Sequence, residues 1–116
     1  MVWQKAFQLA VQVHRFTGSF PSEERYGLSA ELRKTARSVP CNIAEGHKRG
    51  STADYVRFLG IAAGSLAELE TQLLLARELS YLPETDGKRA FALHAEVQRL
   101  LDALIRKLRS KLPNPG

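Results

Sequence analysis

Apolar residues recur every three or four positions along almost all of this 116-residue chain, and that period is helical. The first run, about Val2 to Thr17, puts Ala6, Leu9, Val13 and Phe16 on one side, with Trp3, Phe7 and Val11 beside them. Gly18-Ser19-Phe20-Pro21 interrupts it. Ser22 then offers an N-cap, with Glu23 and Glu24 in the first turn where the helix dipole favours negative charge. The second run carries Leu28, Leu32, Ala36, Val39 and Ile43 to a stop near Gly46, and it passes straight through Pro40. A proline inside a helix removes a hydrogen bond and crowds the carbonyl four residues back, at about 3 kcal/mol. The pattern therefore predicts a second helix kinked at Pro40. A polar stripe of Thr35, Ser38, Asn42 and Glu45 beside the core is placed to satisfy the carbonyls freed by the proline.

The third run starts after Gly50, with Ser51 as cap and Asp54 three residues on. Its stripe is Tyr55, Leu59, Ala62, Leu66, Leu69, Leu73 and Ala76, spaced alternately by four and three. A second stripe, Gly60, Ala63, Gly64 and Ala67, lies about 140° round the helix and predicts the close approach of another backbone. Leu73, Leu74 and Leu75 alone sweep about 200°, more apolar surface than one bundle core needs, which points to self-association. Tyr81-Leu82-Pro83 ends this run, and Thr85 or Asp86 is in position to cap a fourth, carrying Ala90, Leu93, Val97, Leu100, Leu104 and Leu108. No segment alternates as a strand does. The expectation is an all-α fold, an antiparallel up-down-up-down four-helix bundle over residues 1–112, followed by a flexible tail at 113–116.

Composition adds exclusions. Hydrophobic content of 44% and charged content of 25% are ordinary for a globular domain. The lone cysteine, Cys41, rules out an internal disulfide and reads as a small buried hydrophobe. His14, His47 and His94 are far apart and no Glu-x-x-His pair occurs, so no metal, cofactor or catalytic residue is expected, and no enzyme. The most apolar stretch, Phe58 to Ala67, is short for a bilayer span, and no leader pattern opens the chain, so a cytoplasmic location is expected.

Charge changes the picture most. The net charge is +5 and the isoelectric point about 9.7. Between Arg33 and Arg57, the basic residues Arg33, Lys34, Arg37, Lys48, Arg49 and Arg57 stand against only Glu45 and Asp54. These six are the candidate nucleic-acid-binding residues, since a local basic patch suits a polyanion. Four of them, Arg33, Lys34, Arg37 and Lys48, share about 100° of the second helix; for Arg33 an ion pair with Glu68 is the structural alternative. The turn from Gly46 to Thr52 delivers Lys48 and Arg49 to a helix N-terminus, the ingredients of a phosphate seat, although its spacing is not that of a P-loop. A second basic cluster, Arg99 to Lys111, reads instead as the complement of the last helix's C-terminal dipole. The aromatics Trp3, Phe7, Tyr55, Phe58 and Phe91 fall on apolar stripes, which leaves no platform for stacked bases and predicts weakly sequence-selective phosphate contacts.

Particular segments carry a family resemblance: Trp3-Gln4-Lys5-Ala6, Phe20-Pro21, Ser38-Val39-Pro40-Cys41-Asn42-Ile43-Ala44-Glu45-Gly46, and Gly64-Ser65-Leu66-Ala67-Glu68-Leu69-Glu70-Thr71-Gln72-Leu73. With these the chain resembles the bacterial four-helix-bundle proteins of the 23S rRNA intervening-sequence type. Related accessory proteins of diversity-generating retroelements form basic pentameric barrels that bind nucleic acid and a reverse transcriptase. The resemblance implies a homo-oligomeric ring, a homopentamer, with a basic surface that binds RNA or DNA. The alternative it leaves open is a scaffold that docks a partner protein such as a nucleic-acid enzyme, without touching nucleic acid.

Overall fold

Helix-forming stripes and short connections leave little choice of architecture, and the computed structural model, which describes residues 1–113, realises it with four helices. These are α1 (Val2–Phe16), α2 (Leu28–Lys48), α3 (Thr52–Glu78) and α4 (Glu84–Arg109), with 3-10 turns at Thr17–Ser19 and Ser22–Glu24. The fold is all-α, and no strand occurs among the described residues. Each helix packs on its neighbours in sequence and α4 closes against α1, while the diagonal pairs α1/α3 and α2/α4 do not meet among the described residues. The result is an antiparallel bundle with extents of 50 × 25 × 23 Å. The tail expected at 113–116 lies outside the described residues except for Pro113.

The core follows the apolar stripes. Leu9, Val13, Leu32, Val39, Leu59, Leu69, Leu73, Val97 and Leu101 are wholly buried. α2 runs without interruption through Pro40, which is itself buried. Ser38 Oγ donates to the Thr35 carbonyl and Asn42 Nδ2 to the Ser38 carbonyl, both at 2.7 Å. The polar stripe thus bonds carbonyls on either side of Ala36, rather than the Ala36 carbonyl that the missing proline N–H leaves unpaired. Cys41 is exposed, not buried, because it stands about 170° from the centre of the apolar stripe.

Several caps differ from the sequence reading. Ser51 caps α3 as expected, its Oγ accepting from Asp54 N at 3.1 Å. Ser22, however, opens only a 3-10 turn, and α2 begins after Gly27, where the Glu24 carboxylate accepts from Leu28 N at 3.2 Å. The delay has a packing reason: Phe20 turns into the core, its ring 6.0 Å from Phe16 and 5.6 Å from Tyr81, before the chain can start again. No side chain caps α4, which starts at Glu84 behind Pro83, ahead of Thr85 and Asp86.

Glycine roles are also redistributed. α2 continues past Gly46 to Lys48, and at Gly46 α2 and α3 approach closely: a Cβ there would stand 2.6 Å from Phe58 Cβ and 3.2 Å from the Tyr55 ring. Gly60 and Gly64 were the expected approach points, yet no described atom would meet a Cβ at either within 4 Å. That stripe faces outward with Ile61, Leu74, Leu75 and Leu79, each 38–50% exposed. α3 is the one described helix long and apolar enough, by length and composition alone, to cross a membrane, which the Phe58–Ala67 stretch by itself was too short to suggest. Its inner stripe is nevertheless packed against α2 and α4.

α3 ends in a tight reversal. Ser80 takes a left-handed conformation (φ 61°), Ser80 N donates to the Arg77 carbonyl and Tyr81 N to the Ala76 carbonyl, a Schellman arrangement that normally carries glycine. Burial, followed by the acceptor Glu24 Oε2 at 3.1 Å, raises the Tyr81 phenol above its ordinary pKa. This geometry has two consequences for stability. Ser80→Gly relieves a left-handed side-chain penalty and raises unfolding stability by about 1 kcal/mol. Gly46→Ala forces α2 and α3 apart and lowers it by about 1–3 kcal/mol. Urea titration of both variants checks the pair, and an unchanged midpoint for Gly46→Ala would contradict the close approach.

Candidate nucleic-acid interface

Alternating chain direction brings the start of α1, the end of α2, the start of α3 and the end of α4 to one end of the bundle. Met1, Val2, Trp3, His47, Lys48, Tyr55, Leu100 and Leu104 accordingly border a single cavity there. The basic turn after α2 and the basic C-terminal cluster of α4, which read as separate features along the chain, therefore share this end. Residues 1–9, 38–65 and 97–111 make up that half. They carry Lys5, Lys48, Arg49, Arg57, Arg99, Arg106, Lys107, Arg109 and Lys111 against Glu45, Asp54 and Asp102, a net +6. With +5 for the whole chain, the remainder carries −1. The molecule is electrically polar along its length, and a polyanion is drawn to one end.

The six candidate residues divide accordingly. Lys48 is exposed at the basic end and forms no ion pair among the described residues. Arg49 Nη2 lies 2.8 Å from Glu45 Oε1, and Arg57 Nε lies 3.8 Å from Asp54 Oδ1. Both guanidinium groups also sit over the Phe58 ring, 5.0 and 4.5 Å from its centroid. Their side chains remain 48% and 58% exposed, and pairs this exposed are weak enough to exchange for a phosphate.

Lys34 and Arg37 are exposed further along α2, with Arg37 about 16 Å of helix from Lys48. Arg33 is different. Its Nε donates to Thr17 Oγ1 at 2.8 Å and its Nη2 to the His14 carbonyl at 3.1 Å, so it ties α2 to the end of α1. The alternative pairing with Glu68 does not form; Glu68 instead borders a groove between α2 and α3 with Lys34, Ser38 and Gln72.

Two features were not visible along the sequence. Arg106, Lys107 and Arg109 join the basic end only because α4 runs back to it; the predicted up-down topology was the available signal. Trp3 and Phe7, expected on an apolar stripe that leaves no platform for bases, are 40% and 49% exposed and stacked on each other with centroids 5.2 Å apart. His47 stands edge-on to Tyr55 at 5.6 Å, and burial raises the Tyr55 phenol above its ordinary pKa. Nothing in this end resembles a metal centre, and among the described residues no cluster of three or more His, Cys, Asp or Glu could hold an ion.

A family profile described as "23S rRNA-intervening sequence protein" matches residues 1–103, nearly the whole bundle. The chain belongs to this family. A crystal structure of a protein of unknown function from the S23 ribosomal protein family of Bacteroides thetaiotaomicron is similar at a TM-score of 0.82 and 24% identity. The match covers 90% of this chain and 95% of that one. At that identity the likeness establishes the four-helix architecture. A search of curated proteins returns no match. Neither the family's description nor that of the structural neighbour points to an enzyme.

The inward engagement of Arg33 separates it from its neighbours experimentally. Arg33→Gln loses two bonds to α1 and costs about 1–2 kcal/mol of stability. Arg37→Gln, on an open surface, changes stability by less than about 0.5 kcal/mol. Chemical denaturation of the two variants measures both, and equal midpoints would refute the structural role of Arg33.

Proposed function

We propose that this protein is a non-enzymatic, homo-oligomeric accessory protein of the cytoplasm that binds RNA or DNA through phosphate contacts on its basic end. The observation that carries the reading is the gathering of Lys48, Arg49 and Arg57 with Arg106, Lys107 and Arg109 at one end of an otherwise weakly acidic molecule. Lys34 and Arg37 extend the positive surface along α2. Membership of a family named for an rRNA intervening sequence agrees with a nucleic-acid partner. The contacts are mainly charge to phosphate, so affinity falls steeply with salt and depends little on sequence.

Self-association is supported by the outward face of α3. Ile61, Leu74, Leu75 and Leu79 flank the small-residue stripe of Gly60, Gly64 and Ala67, and no described residue fills the space over either glycine. A homopentameric ring, the arrangement implied by the family resemblance, would repeat the basic end and raise avidity for a long polyanion.

The reading predicts binding of an RNA oligonucleotide at low salt, with a slope of log affinity against log salt of about −0.7 per phosphate contacted. Lys48→Glu combined with Lys107→Glu should weaken binding at least about ten-fold at 0.1 M salt and flatten that slope. Lys34→Glu with Arg37→Glu should have the smaller effect. A salt series by fluorescence anisotropy, with light scattering for the solution mass, measures both properties. An intact oligomer that binds no nucleic acid at low salt would overturn the reading and favour the protein-docking scaffold.

A further inference from the structure

The cavity at the basic end has a composition that simple phosphate binding leaves unused. Its volume is about 600 Å³, within the range of small-molecule sites. Its walls are apolar and aromatic (Ile43, Leu100 and Leu104 with Trp3 and Tyr55), while His47 and Lys48 supply polar and cationic groups at the edge. Among the described residues no carboxylate borders it. Each of three other cavities does include an acid: Glu31 and Glu68 between α2 and α3, Glu84 beyond the end of α3, and Asp86 near Arg15. Trp3 is held in place by its stack on Phe7 yet keeps 40% of its surface open.

From this combination we propose that the end cavity receives an unpaired nucleobase, so that the ligand of the basic end is single-stranded nucleic acid. The inference rests on the phosphate-binding reading above and adds a base site to it. The chemistry is complementary throughout. The aromatic wall offers Trp3 and Tyr55 for stacking, Gln4 and His47 offer hydrogen-bonding groups to a base edge, and Lys48, which also borders the cavity, offers a cation to the attached phosphate. Stacking of bases on aromatic side chains beside a cationic track is how sequence-tolerant single-strand binding is generally built. A base inside a duplex cannot enter such a cavity, because its faces are covered by its neighbours and only its edges reach the grooves. The acid-free wall matters as well, since a carboxylate there would repel the phosphate that must follow the base.

Trp3 is the sole tryptophan of the chain, so its fluorescence reports on the cavity directly. The native protein is titrated with a single-stranded oligouridylate, a single-stranded oligoadenylate and a blunt RNA duplex of equal length. The expected result is quenching of Trp3 by the single strands and none by the duplex. In parallel, fluorescein-labelled strands measure affinity by anisotropy. Trp3→Leu should weaken single-strand binding about ten- to a hundred-fold, leave duplex binding unchanged, and be largely rescued by Trp3→Phe. Trp3 is a surface side chain, and circular dichroism confirms that each variant remains helical. Single-strand binding with unchanged Trp3 emission, or equal loss on strand and duplex, overturns the base site while leaving phosphate binding standing. No binding of any nucleic acid at low salt overturns the phosphate reading itself. Emission that shifts with protein concentration alone assigns the aromatic face to a second copy of the chain and overturns the proposal.

Discussion

The rest of the molecule hangs on the contact of Gly46 with Phe58 and Tyr55. A helix pair can approach this closely only where one side chain is reduced to hydrogen, because a Cβ at that point would overlap the facing residue. The approach fixes α2 against α3 immediately before the turn from Arg49 to Ser51 and so sets where that turn projects. Arg49 and Arg57 then both reach one ring, Phe58, and Tyr55 is brought against His47. Widening this contact would move the basic turn and the floor of the end cavity together.

From that fixed corner, alternation of chain direction does the rest. Four helices running up and down place two helix starts and two helix ends at each end of the bundle. Charges that are dispersed in sequence therefore accumulate in space: residues near 48, 57 and 107 share one end, while Glu23, Glu24, Glu78, Glu84 and Asp86 belong to the other half. The polarity costs the fold little, since the exposed cations are solvated and the long connection before α2 is tied by Glu24 to Leu28 and Tyr81. The outward sides of α1 and α3 carry most of the exposed large apolar residues, among them Trp3, Phe7, Ile61, Leu74 and Leu75.

Much of the fold was legible because it depends on period. The stripes Leu28 to Ile43 and Tyr55 to Ala76 repeat at helical spacing, and every residue of them lies in the core except Tyr55, which is half-buried against it. The Ser51 cap was equally readable, because its bond to Asp54 N is local. Gly46 was read only as a helix stop and its contact with Phe58 and Tyr55 was missed, because a glycine in sequence shows only that space is permitted; the partner that uses the space lies on another helix. Arg33 could not be told from Arg37 for the same reason, as the Thr17 and His14 acceptors stand 16 and 19 residues away. Arg106 and Lys107 looked like ordinary complements to a helix dipole until α4 was seen to end at the same end of the bundle as Lys48.

By itself the sequence determined helix number, most of the core residues and an excess of positive charge, since these follow from local spacing and composition, whereas Leu101 and His94 of α4 are buried although they lay outside the expected stripe. It also pointed to the family, which the match over residues 1–103 shows without any reference to coordinates. Only the tertiary structure decided which cations stand together, which arginine is tied inward and which aromatics stay exposed. Those are properties of distances between helices. A chain read residue by residue carries no such distances until close packing at points such as Gly46 has fixed them.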